Sequence, residues 1–195
     1  MRISLNRLVM VSSHPILDQV AQDIMRGVDV TKLPNRDITV FIGAHKRFPG
    51  IRKTKGLKIC IQTEIFFDDD GSSMWRKPRW TKMLPNIINC DIFLDLNKSN
   101  SVVYRWLPNW LRKKIVFGPK IFPSNPNTMV EGNGQAVFFG TMSERRQRIL
   151  NSSGEITIIN NETFGSELSE AMSQASAVFN LHYFKGRYSE FPRLL

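Results

Sequence analysis

Short, almost uninterrupted apolar runs recur along this chain, and they restrict its fold more than any other feature. Arg7 to Ser12 (RLVMVS), Ile38 to Ile42, Leu57 to Gln62, Cys90 to Leu96 (CDIFLDL) and Lys114 to Phe117 each read as a strand with little polar alternation. Strands of that kind are buried on both faces, and such burial belongs to parallel sheets covered by helices. A helical pattern lies between the first two runs. His14 to Arg26 places Ile16, Leu17, Val20, Ala21, Ile24 and Met25 at helical spacing, and Gly27 stands where a helix stops. Lys82 to Ile88 reads as a short helical turn, residues 68–82 as a polar loop, and Arg52, Lys53 and Lys55 as a basic loop leading into the third strand. The first part is therefore expected to be a Rossmann-like α/β domain.

The pattern breaks at Phe122 to Gly134 (FPSNPNTMVEGNG), rich in Pro, Asn and Gly, and then restarts. Gln135 to Phe139, Glu155 to Ile159 and Ala177 to Leu181 read as strands. Ser143 to Leu150 and Ser166 to Gln174 read as helices, the latter with Leu168, Ala171, Met172 and Ala175 on one side, and Ser189 to Leu195 opens another. The expected partition is a domain at 1–125, a linker at 126–134 and a second domain at 135–195. Three strands make a small sheet, and the last apolar run, Phe191 to Leu195, ends with the chain. The second domain is thus expected to be incomplete.

Charge supports the same division. The net charge is +10; residues 1–130 carry 21 Lys and Arg against 10 Asp and Glu, whereas residues 131–195 carry 6 against 7. The basic excess of the first part suits a polyanion: nucleic acid, lipid headgroups or a phosphorylated ligand. No nucleic-acid-binding signature is present. No apolar run reaches the roughly 18 residues of a membrane span, and Met1 to Arg7 begins no signal-peptide pattern. Cys60 and Cys90 each sit inside an apolar run, as small buried residues of a reduced compartment do. The expected location is the cytoplasm.

The stretch Ala136 to Arg148 (AVFFGTMSERRQR) reads as a buried strand, a tight glycine turn and the first turn of a helix capped by Ser143. A helix start gathers N–H groups and a positive dipole end, which suit a phosphate, and Arg145 and Arg146 would add bidentate contacts. A strand-to-helix turn with solvated arginines would read the same way if it stood alone. Three further segments follow in order: Gly165-Ser166-Glu167-Leu168, Ala177 to Tyr183 (AVFNLHY) and Glu190-Phe191-Pro192-Arg193-Leu194. Together with Phe138 to Arg146 they resemble the donor-binding half of GT-B glycosyltransferases. The nearest group is the spore-maturation type, which includes enzymes of surface-polysaccharide synthesis. The resemblance covers about residues 135–195.

It implies two Rossmann-like domains facing across a cleft, with a nucleotide-sugar donor held by the second and a glycan or lipid-linked acceptor by the first. It also implies hexosyltransferase-like chemistry with no bound metal or other cofactor. Gly140 and Thr141 match the turn beside the diphosphate, and Arg145 or Arg146 the basic helix start. Asn180 and His182 fall at a strand end, on the ligand side of such sheets. Glu190 and Arg193 match the helix that contacts ribose or sugar. The remainder of that helix and a second acidic position would lie beyond Leu195.

Several residues of the first part are open to two readings. His14 and His45 follow the first two strands; each is either a base or sugar contact or a hydrogen-bonded loop histidine. Glu64 ends the third strand and is either a base for an acceptor hydroxyl or a solvated carboxylate. His45 and Glu64 are the catalytic candidates. Asp68-Asp69-Asp70 follows an apolar run, as does the metal-binding Asp-x-Asp of GT-A transferases, though an acidic loop tip has the same composition. A GT-A-like transferase using Asp68 and Asp70 is one alternative, and a basic binding module for nucleic acid or anionic membrane is another. Tyr104 to Val116 (YRWLPNWLRKKIV) interleaves Trp106 and Trp110 with Arg105, Arg112, Lys113 and Lys114. It suits peripheral membrane contact, or else a partly buried loop whose tryptophans pack on the domain.

Overall fold

The computed structural model describes residues 2–66, 80–119, 134–160, 162–163, 166–179 and 181. The chain divides into two compact units, Met1–Pro123 and Ser124–Leu195.

The first unit is built on a six-stranded sheet: β1 (Arg2–Leu5), β2 (Leu8–Ser12), β3 (Ile38–Ile42), β4 (Leu57–Gln62), β5 (Ile92–Asp95) and β6 (Ile115–Phe117). Strands β2 to β6 are parallel, as their apolar runs require. β1 was not expected. It pairs antiparallel with β2 through a turn at Asn6, whose φ of 52° is one that Asn tolerates better than most residues. Its side chains are mostly exposed, so it carries no apolar signature.

The five residues of β3 are all buried, and their alternation serves two layers. Ile38, Val40 and Ile42 pack with Ala21 and Ile24 of helix α1 (Ile16–Arg26). Phe41 packs on the other face with Met83 and Ile87 of helix α2 (Trp80–Asn89) and with Tyr104 and Leu111. Asp18, in the first turn of α1, accepts a hydrogen bond from the Ser12 hydroxyl at the end of β2. α2 is longer than the turn expected at Lys82 to Ile88 and runs through Pro85. Burial of Met83, Asn86 and Ile87 on both sides of the proline offsets the lost backbone hydrogen bond.

The strand order departs from the Rossmann expectation. β2 to β6 lie side by side in chain order, with no reversal. The steps from β2 to β3 and from β4 to β5 go the same way across the sheet, yet α1 and α2 cover opposite faces. The two crossovers therefore have opposite hands. A doubly wound sheet avoids this by reversing its strand order.

A 3-10 helix (Lys98–Tyr104) and helix α3 (Asn109–Arg112) join β5 to β6. Tyr104, Leu107 and Leu111 are buried there, whereas Trp106 and Trp110 stay exposed. The segment is partly buried, as one of the two readings expected: Trp106 packs edge-on against Trp80, with centroids 4.6 Å apart, while Trp110 lies beside Lys114 and the leucines fill the core.

The second unit contains β7 (Ala136–Phe139), helix α4 (Glu144–Ser152), β8 (Ile156–Ile159), helix α5 (Ser166–Ser173) and β9 (Ala177–Phe179). Its strands are parallel in the order β8-β7-β9, with Val137 and Phe138 of the central strand buried.

Candidate functional site

The order β8-β7-β9 places a reversal at the central strand. From β7 the chain steps outward to β8, then returns past β7 to form β9 on the other side. In open parallel sheets the crevice between the loops leaving two such strands is the usual ligand position. Here those strands end at Phe139 and Phe179.

Local chemistry shapes the first loop. Gly140 has a φ of +142°, which side chains other than glycine's rarely adopt. A Cβ there would lie 3.2 Å from Nη1 of Arg146. Ser143 caps α4, its Oγ accepting the Arg146 backbone N–H at 3.3 Å, and Glu144 lies favourably in the positive first turn. Arg145 is half-buried at the second position of the helix.

Arg146 turns inward and is 1% exposed. Its Nη1 donates to the Thr141 carbonyl at 2.5 Å and its Nη2 to the Leu181 carbonyl at 2.5 Å. The guanidinium carbon lies 5.3 Å from the centre of the Phe138 ring. One side chain thus ties together the loops that leave β7 and β9. The sequence pairs Arg145 and Arg146 as equals, but the structure separates them: Arg146 is buried against the Thr141 and Leu181 carbonyls, and Arg145 stays half-buried at the helix start. Asn180, His182, Glu190 and Arg193 lie outside the described residues, as do Asp68 and Asp70.

In the first unit, His45 and Glu64 follow adjacent strands. Gly43, at a φ of +87°, turns the chain so that its N–H and that of Ala44 both donate to the Ile61 carbonyl, each at 2.9 Å. His45 is buried. Its turn is held by Asn86 of α2, whose Nδ2 donates to the carbonyls of Ala44 (2.9 Å) and Lys46 (2.7 Å) and whose Oδ1 accepts the Phe48 N–H at 3.1 Å. Glu64 is half-buried. Its N–H donates to Gln62 Oε1 at 3.0 Å, and its carbonyl accepts from Gln62 Nε2 at 2.6 Å and Asn100 Nδ2 at 2.8 Å. His14 is exposed.

Sequence reasoning missed Asp95, at the carboxyl end of β5. It is fully buried and accepts from the Tyr104 hydroxyl (2.6 Å), Asn100 Nδ2 (3.0 and 3.1 Å) and the Asn97 N–H (2.9 Å). Burial pushes its pKa up to about 7 against the pull of those three donors. Tyr104 is raised well above its ordinary value by its own burial and by the Asp95 charge. Asn100 continues the network, its Oδ1 accepting the Phe66 N–H at 2.9 Å. These groups set the backbone around Glu64. The available signal was a polar residue at an inward position of an apolar strand, followed closely by two asparagines.

Cys60 and Cys90 are buried free thiols, as expected. The hydrogen bond to Cys90, then burial, holds the Cys60 thiol well above its usual range, so it is a poor nucleophile. Among the described residues, no group of three or more His, Cys, Asp or Glu could hold a metal ion, and no helix is long and apolar enough to cross a membrane. No family model, curated protein or solved structure matches the chain.

Proposed function

We propose that the chain is a GT-B-type glycosyltransferase acting in glycan or surface-polysaccharide synthesis, and that its second unit holds the diphosphate of a nucleotide-sugar. The observation that carries this reading is the reversal of strand order at β7. The loop leaving that strand combines the left-handed Gly140, the Ser143 cap and a helix start bearing Arg145. The first N–H groups and the dipole of α4 attract the charge of a phosphate. Arg145 supplies a charge-assisted contact, while Arg146 keeps both loops in register.

In the proposed reaction the acceptor hydroxyl oxygen bonds to the anomeric carbon of the sugar. The bond from that carbon to the diphosphate oxygen breaks, and the nucleoside diphosphate leaves. The helix start and Arg145 stabilise the charge on that leaving group. The hydroxyl proton passes to a base. Of the two candidates, Glu64 is half-buried, whereas His45 is buried.

Calorimetric titration of the full chain with a panel of nucleoside diphosphates tests the reading. Arg145→Ala should weaken binding by about 1.5–3 kcal/mol, or roughly 10- to 160-fold. Absence of binding by the wild type, or unchanged affinity in the variant, overturns it.

A further inference from the structure

The segment between β5 and β6 leaves its largest rings outside: Trp106 is 55% and Trp110 58% exposed, and Ile88 and Val102 are exposed too. The rings are held in place. Trp106 stands edge-on to Trp80 with centroids 4.6 Å apart, and Trp80 packs edge-on against Tyr104 at 5.9 Å. At the other end of α2, Lys114 Nζ donates to the carbonyls of Ile88 (3.1 Å) and Cys90 (2.8 Å) and lies 5.7 Å from the centre of the Trp110 ring. Trp80, Leu84 and Ile88 follow one another at four-residue steps, so they share one edge of α2. Trp106 therefore sits beside the start of that edge and Trp110 beside its end. The edge itself is roughly 12 Å long at 1.5 Å per residue, with one tryptophan near each end to form a ridge.

The segment that carries Trp106 and Trp110 has charge of one sign. From Leu96 to Pro119 the chain carries Lys98, Arg105, Arg112, Lys113 and Lys114 and not one Asp or Glu. Arg105, Arg112 and Lys113 are exposed. The preceding acid, Asp91, accepts the Lys58 N–H at 2.8 Å.

We propose that this ridge docks the protein on a bilayer containing anionic phospholipid. The indole rings enter the headgroup layer, and Arg105, Arg112 and Lys113 engage lipid phosphates. The exposed aliphatic Ile88, on the same edge of α2 as Trp80, favours an acyl boundary over stacked bases. Lys114 also lies over the Trp110 ring, which a base would need as a stacking face. A second copy of the chain is disfavoured because it would bring like charges together. The proposal is independent of the donor site.

The test is co-sedimentation of the full chain with vesicles of phosphatidylcholine alone and of phosphatidylcholine with phosphatidylglycerol, together with tryptophan fluorescence. Binding should require the anionic lipid, fall with added salt and shift the emission to the blue. Arg112→Ser with Lys113→Ser should lower the partition coefficient about 25-fold, about fivefold for each charge removed. Trp106→Ser with Trp110→Ser should abolish the blue shift, with circular dichroism unchanged because both side chains are exposed. No binding to anionic vesicles at low salt, or binding that survives both double variants, overturns the proposal. So does a single-stranded oligonucleotide that binds through these tryptophans when vesicles do not, or a dimer that the tryptophan variant dissolves.

Discussion

Asp95 makes the stability of the first unit depend on pH with an unusual sign. Its carboxyl titrates near 7 when folded, against a reference value of 3.8. Between those values the folded chain holds a proton that the unfolded chain has released, so stability falls as pH rises through that window. Below about pH 4 both states are protonated and above about pH 7 both are ionised, and this dependence flattens at either end. About three pH units at 1.36 kcal/mol each give a loss of about 4 kcal/mol across the window. Asp95→Asn keeps the shape of the group and cannot ionise. The variant should therefore gain about 4 kcal/mol relative to wild type between pH 4 and pH 8. All four tryptophans lie between residues 75 and 110, so urea unfolding followed by fluorescence reports on this unit. Taking the difference between the two chains removes the contributions of other titrating groups. A flat difference across that range would mean that Tyr104, Asn97 and Asn100 keep the carboxylate ionised throughout. Burial would then not outweigh the three donors.

Arg146→Met should destabilise the second unit by about 3 kcal/mol, since a charge-assisted hydrogen bond is lost at each of two carbonyls. Hydrogen exchange should accelerate at Ala177–Phe179 and stay unchanged at Ile38–Ile42. Gly140→Ala should cost about 1–3 kcal/mol from its φ alone and should also disturb the Arg146 guanidinium; chemical denaturation measures the first effect, and exchange at Thr141 the second. If the diphosphate is held as proposed, a chelator and the pair Asp68→Asn with Asp70→Asn should leave nucleotide binding unaltered. A manganese or magnesium requirement that disappears in that double variant would move the assignment to the GT-A-like alternative.

The strands of both sheets were legible because each is a run of apolar residues long enough to cross a layer. Arg2–Leu5 was not, because its pairing depends on the neighbouring edge and not on burial of its own side chains. Strand order was not legible either, since the same alternation of strands and helices serves a reversing or a sequential sheet. In the candidate site, Gly140 and Ser143 announced themselves through turn and cap chemistry. The different fates of Arg145 and Arg146 follow from where one helical turn points each side chain, and from a carbonyl at Leu181 that is remote in sequence. Gln62, Asn86, Asp95 and Asn100 are ordinary polar letters until the fold surrounds them.

Asn86 has a mechanical consequence. Its single amide engages Ala44, Lys46 and Phe48, so the turn carrying His45 is fastened to α2 through three backbone groups. The same helix carries the edge of Trp80, Leu84 and Ile88, whose last residue is exposed. A displacement of α2 is passed through these three hydrogen bonds to the backbone on either side of His45, so the helix acts as a lever whose inner arm is that turn.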